Sequence, residues 1–288
     1  MRLPTFMMNA FWWLPIFLYS ADANAWGLVT HVYFAQSLLW AMPLLDPRLQ
    51  RAIRNFPELV MAGACLPDLA IVSRRYQHTH LWESGHRLMS AAQTEEETAL
   101  AIGYISHLYI DVIAHNHFVP AHEAMWHKNE IFTHVVSEWA MDGHLASLVN
   151  ILPGQLLNRH HAIITGFISI QFRCSVNVTS RALKHLAFWD GILRTVKLPS
   201  LIHRLVSIFD KRVFKHFVYY LAKTQVAVAD IGQVLNGENP ILEPELKNLS
   251  AEQLDIWREQ CVLHLGLLHP TPVQYFNKTL TNPNYPDS

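Results

Sequence analysis

Between Ser106 and Pro120 the chain reads SHLYIDVIAHNHFVP, with His107, Asp111 and His115 four residues apart. On an α-helix a step of four turns the side chain by only about 40°. Three metal-ligand types therefore share one stripe of an otherwise apolar helix. A second stripe follows in THVVSEWAMD, where His134, Glu138 and Asp142 keep the same spacing. Ion pairing on an exposed helix face would account for one such stripe. Two stripes with apolar flanks are costly to bury unless something satisfies them, and imidazoles with carboxylates are what a divalent cation takes. His117 falls off the first stripe if the helix runs straight. Pro120 predicts a helix end nearby, from which His117 could swing back in a loop, so His115 and His117 both stand as candidates.

Further candidates come from segments without such periodicity. Asp68 follows Pro67 after GACL, and YQHTHLWESGH offers His78 and His80. Loops can turn such side chains inward. His31 closes the stretch Trp26-Gly-Leu-Val-Thr-His. Of the 18 histidines, ten lie between His78 and His144, a density that points to metal or acid–base chemistry. Glu83 and His86 make one ExxH pair, and the absence of a second argues against a di-iron bundle. The sequence has no HExxH, no GxSxG and no phosphate-cradling glycine loop.

These residues must be positioned by helices. Val29–Leu44, Thr98–Ala114, Ile131–Val149, Ala182–Val196, Leu201–Val218 and Tyr219–Leu235 space apolar residues by three and four, and strand-like alternation is scarce. The expected fold class is all-α. Asn236–Leu249 reads as a loop, Ser250 with Gln253 as a capping box for a last helix to about Leu268, and 269–288 as an irregular tail. Residues 1–25 carry Arg2, an apolar run from Phe6 to Tyr19 too short to cross a bilayer, which takes about 20 residues, and the small-x-small end Ala23-Asn24-Ala25. They read as a secretory signal peptide. Cleavage after Ala25 would export the chain from a bacterial cell, to the periplasm or beyond, and make Trp26 its N-terminus. The rest, 26–288, reads as one helical domain, with the metal site in 26–142 and helical remainder in 143–268.

Composition narrows the function. Lys plus Arg is 22 and Asp plus Glu is 23, so the basic excess typical of nucleic-acid binders is absent, and no stable nucleic-acid binding is expected. Charged residues are 16% against 51% hydrophobic, which excludes a disordered chain. Three cysteines make no disulfide framework. Residues 151–230 hold 11 basic and 3 acidic residues. With their interleaved aromatics they could make peripheral contact with an anionic membrane, although a solvated basic face of an ordinary helical layer is the plainer account.

Taken in order, Trp-Gly-x-x-Thr-His, Pro-Asp, Thr-His-Leu-Trp, His-x-x-x-Asp-x-x-x-His-Asn and His-x-x-x-Glu resemble the zinc-dependent phospholipase C family. That family includes bacterial phosphatidylcholine-hydrolysing enzymes and the catalytic domain of glycosylphosphatidylinositol phospholipase D, with fungal zinc nucleases more distant. The resemblance covers about Trp26 to Asp142. It implies a helical enzyme with up to three zinc ions. Trp26, through its terminal amino group and carbonyl, and His31 would hold one. Asp68, His80 and His107 would hold a second, and His115, His134 and Glu138 a third, with Asp111 bridging. Thr-His before Leu-Trp favours His80 over His78. The phospholipase D branch spaces its histidine four after the aspartate, as in Asp111 to His115, and the other branches six, as in Asp111 to His117. His78, His117 and Asp142 stay as weaker ligand candidates.

The implied chemistry is hydrolysis of a phospholipid phosphodiester by zinc-activated water, with the same ions stabilising the phosphoryl charge and Asp68 able to serve as general base. The alternatives are a nuclease or other phosphodiesterase on the same site, and a metal-stabilised, membrane-associated protein without turnover.

Overall fold

The computed structural model describes residues 27–41, 45–126, 130–244 and 249–266. The signal segment, Trp26 and the tail 269–288 lie outside the described residues. In chain order the helices are α1 (Leu28–Ala41), α2 (Pro47–Asn55), α3 (Pro57–Gly63), α4 (Leu69–Val72), α5 (Trp82–Ala91), α6 (Glu95–Ile113), α7 (Val119–Trp126), α8 (Glu130–Leu145), α9 (Pro153–Arg159), α10 (His161–Gln171), α11 (Val176–Thr195), α12 (Leu198–Phe209), α13 (Val213–Val228), α14 (Ile231–Leu235) and α15 (Ala251–Gly266). A 3-10 turn at Arg74–Tyr76 and a π-helical turn at Ala114–Phe118 complete the set. The described residues contain no strand, so the fold is all-α.

Helix α6 is the axis. The Thr94 hydroxyl accepts from the Glu97 amide at 3.1 Å, and the Glu97 carboxylate accepts from the Thr94 amide at 3.2 Å. This capping box satisfies two of the orphan donors at the helix start, and three glutamates in the first turn suit the positive end of the helix dipole. From Thr98 to Ile113 every side chain is buried. Helices α1, α2, α3, α5, α13 and α14 pack around it. Here the polar residues of the stripe are as buried as the apolar ones, His107 and Asp111 included.

The approach of α3 to α6 is closer than side chains allow. A Cβ on Gly103 would overlap the carbonyl oxygen of Val60, and one on Gly63 would overlap that of Leu100. Two glycines therefore let the backbones touch, which brings the segment after α3 against the middle of α6.

Several sequence expectations move. Residues 201–235 read as two helices, yet the chain breaks at Asp210, whose carboxylate accepts from the Arg212 amide at 2.9 Å. This local turn competes with the helix, and apolar residues on both sides hid it. The helix beginning at Ala182 starts earlier, at Val176, where the Ser175 hydroxyl caps the Val178 amide at 3.3 Å. No helix end occurs at Pro120. The π-helical turn hands the chain directly to α7, and Pro120 sits in the first turn of that helix. The predicted capping box of Ser250 with Gln253 is present, with both bonds formed at 2.8 and 3.2 Å. Cys65, Cys174 and Cys261 are free thiols. Among the described residues no helix is long and apolar enough to cross a membrane.

Candidate metal centre

Asp111 stands at the middle of the site. One carboxylate oxygen, Oδ1, lies 3.3 Å from His31 Nε2 and 3.8 Å from His115 Nε2. The other, Oδ2, lies 3.0 Å from His107 Nε2 and 3.7 Å from His80 Nε2. Asp68 Oδ1 is 3.6 Å from His80 Nε2 and 3.8 Å from His107 Nε2. His134 Nε2 is 2.9 Å from Glu138 Oε1, and the His115 and His134 rings stack at 5.1 Å. Three sets of donors therefore converge: His31, His107 and Asp111; Asp68, His80 and His107; His115, His134 and Glu138.

The donor set fits zinc. Four ligands at about 2.0–2.2 Å from zinc stand about 3.3–3.6 Å apart in a tetrahedron, close to the separations just given. Both oxygens of Asp111, Asp68 Oδ1, His31 Nε2, His134 Nε2 and Glu138 Oε1 are buried without an aligned hydrogen bond. Such atoms are expensive to bury unpaired, and a cation among them would satisfy all of them together. Electrostatics agrees. Burial pushes the Asp111 carboxyl up, but the imidazoles of His107 and His31 outweigh it and hold it well below the usual carboxylate range. Glu138 is pushed up to about 8 by burial and by the Asp111 and Asp68 carboxylates, which together exceed the pull of His134.

The helices and loops hold these side chains by a chain of backbone contacts. His107 Nδ1 donates to the Ala64 carbonyl at 2.8 Å. The imidazole is thereby held with its Nε2 lone pair facing the donors, the usual outer support of a metal-bound histidine. The Thr79 hydroxyl donates to the Pro67 carbonyl at 2.6 Å, tying the loop of Asp68 to that of His80. The Tyr104 hydroxyl, on α6, donates to the Thr79 carbonyl. Thr79 entered the sequence analysis only as part of Thr-His-Leu-Trp, and Tyr104 and the Ala64 carbonyl did not enter it, because none of them is a metal-ligand type.

The π-helical turn separates His115 from His117. His115 faces His134 and Glu138. His117 faces the other way, its ring 5.6 Å from that of Trp257 on α15, and burial among Lys223 and His264 holds its pKa well below the usual imidazole range. The carbonyls loosened by the turn are taken up from afar: Trp257 Nε1 donates to Asn116 at 2.6 Å and the Tyr220 hydroxyl to His117 at 3.1 Å. His78 is exposed, beside Gln77, while His80 is buried.

Asp142 is not among the donors. Its carboxylate accepts from the Val29 amide at 3.3 Å and from the Thr30 amide and hydroxyl at 2.9 and 2.8 Å, and it pairs with Arg194 at 2.6 Å. It thus caps the start of α1 from α8, one turn before His31. A Cβ on Gly27 would collide with this carboxylate. His134 is the most exposed donor, its side chain 20% accessible, so the centre opens to solvent on that side.

The sequence model of the family described as zinc dependent phospholipase C matches residues 30–190, more than half of the chain and a span holding every residue of the three donor sets. No curated protein and no solved structure matches the chain.

Proposed function

Because the chain belongs to the zinc-dependent phospholipase C family and is a hydrolase of that type, we propose that it cleaves the headgroup phosphodiester of a phospholipid at a centre of up to three zinc ions. The observation that carries this reading is Asp111, whose Oδ1 stands within 3.8 Å of His31 and His115, from two different donor sets, and whose Oδ2 stands within 3.7 Å of His107 and His80 of the remaining set. A carboxylate so placed can bridge ions and hold them at the short spacing that suits one phosphoryl group. Zinc supplies there the Lewis acidity that readies water for attack and neutralises charge on the phosphoryl oxygens.

The residues divide the remaining work. His107 keeps its donor nitrogen inward through the Ala64 bond. Asp68, with its Oδ1 facing both His80 and His107, serves as ligand and as the proton acceptor for the attacking water. His134 and Glu138 close the set at the open side.

Export and maturation belong to the same proposal. Removal of residues 1–25 would leave Trp26 one residue before Gly27, whose backbone lies against Asp142. The amino group created there would join His31 as a ligand. The test is metal content and turnover of the naturally exported chain beside a form with one extra residue before Trp26. About three zincs per chain, one fewer in the extended form, and phosphate-ester headgroup release from phospholipid are expected. Cleavage of single-stranded nucleic acid with no lipid turnover would move the substrate to the nuclease class. No metal in either form would overturn the reading.

A further inference from the structure

Helix α12 is apolar on two opposite sides. Pro199 and Val206 are buried on the side that packs along α8. Leu201, Leu205 and Ile208, spaced by four and three, form a second stripe that faces solvent. Ile208 is 68% exposed and Phe209, at the helix end, 87%. Beyond the Asp210 turn Phe214 is 59% exposed, and Val218 one turn later is exposed as well. An apolar surface of this extent, kept in water, marks a contact site.

Along residues 197–218 the exposed charge has one sign. Lys197, Arg204, Lys211, Arg212 and Lys215 are all exposed. The one carboxylate between residues 197 and 218, Asp210, is largely buried and accepts from the Trp126 indole at 3.3 Å. Aromatic and aliphatic residues flanked by cations are what an anionic lipid interface receives. A second copy of this chain would bring the same positive charge and be repelled.

The place in the fold is as specific as the composition. Pro199 abuts Gly143 near the C-terminal end of α8, and the Asp210 turn meets Trp126, just before the N-terminal end of α8. The two helices are therefore antiparallel, and the Ile208–Phe209 tip stands at the end of α8 that carries His134, the side on which the donor cluster opens.

We propose that the turn between α12 and α13 docks the protein on the anionic face of a phospholipid bilayer. Ile208 and Phe209 enter the interface, and Lys211, Arg212 and Lys215 face the lipid charge. The proposal deepens the phospholipid reading above, and its test is read without turnover. The zinc-loaded chain is sedimented with vesicles of phosphatidylcholine alone and of phosphatidylcholine with phosphatidylserine, at low and high salt. Stronger, salt-sensitive binding to the mixed vesicles is expected. The Ile208→Ser/Phe209→Ser variant should bind about tenfold more weakly or worse, the loss expected for removing large side chains from an apolar contact. Lys211→Gln/Lys215→Gln should lose the preference for phosphatidylserine. Both should hydrolyse a monomeric short-chain phospholipid as the parent does. Parent-like vesicle binding by both variants, or no binding by the parent, overturns the docking surface. So does a serine variant that only converts a dimer to a monomer. Vesicle binding that follows these expectations while no phospholipid is cleaved keeps the docking surface and removes the phospholipase reading.

Discussion

Asp142 and Thr30 are joined twice: the carboxylate accepts from the backbone amide at 2.9 Å and from the hydroxyl at 2.8 Å. The same carboxylate neutralises Arg194, so one side chain both caps α1 and balances a buried guanidinium. Removing it in Asp142→Ala would leave Arg194 with Asp190 alone, at 3.1 Å. A broken buried pair of this kind costs about 3–5 kcal/mol. Urea denaturation should register that loss, and metal analysis should show the His31 set losing its ion first. Unchanged stability would mean that the capping bonds contribute nothing.

Asp111→Asn is expected to do more damage to metal binding than His31→Ala. Its two oxygens face His31, His115, His107 and His80, whereas His31 contributes to one set. Zinc analysis of dialysed protein should find more than one ion lost in Asp111→Asn and no more than one in His31→Ala. Circular dichroism on the same samples separates ion loss from unfolding.

The glycines of the α3–α6 crossing make a graded test. Gly103→Ala would push Val60 and the segment to Ala64 away from α6, loosening the carbonyl that orients His107. Strain of this kind costs about 1–3 kcal/mol, and zinc affinity should fall with it. Gly166→Ala in α10 meets nothing within 4 Å and should raise stability by about 0.5–1 kcal/mol. Thermal melts of the two variants should move in opposite directions.

Acid sensitivity should come in part from His122. Its ring is buried among Phe118, Trp126, Phe217 and Tyr220, near His216 and the Asp210 carboxylate. Burial pushes its pKa down from 6.5 to about 4. The unfolded chain therefore takes up this proton first as pH falls. The stability contributed by neutral His122 is complete above pH 6.5 and is lost as pH falls to about 4. The slope is about 1.4 kcal/mol per pH unit, roughly 3 kcal/mol in all. His122→Leu should flatten the acid limb by one proton in denaturation measured on metal-stripped protein, where ligand protonation is common to both forms. An unchanged slope would assign the titration elsewhere.

The sequence by itself determined the all-α class, the two stripes and the last helix's capping box, because these are local properties. A rotation of about 100° per residue lines up His107, Asp111 and His115 wherever the helix lies, and Ser250 with Gln253 needs only four residues. Only the tertiary structure decided which residues meet. Asp142 shares a stripe with Glu138, yet the start of α1 lies nearer to it than the donors do, and it became a cap. His117 was turned toward Trp257 by a π-helical turn whose loosened carbonyls are met by Trp257 and Tyr220. Those partners lie more than 100 residues away along the chain, and periodicity carries no information over such a distance. The break at Asp210 was likewise settled by a side-chain bond to Arg212 and by the Trp126 indole, a balance between a local turn and a distant contact that apolar spacing does not record.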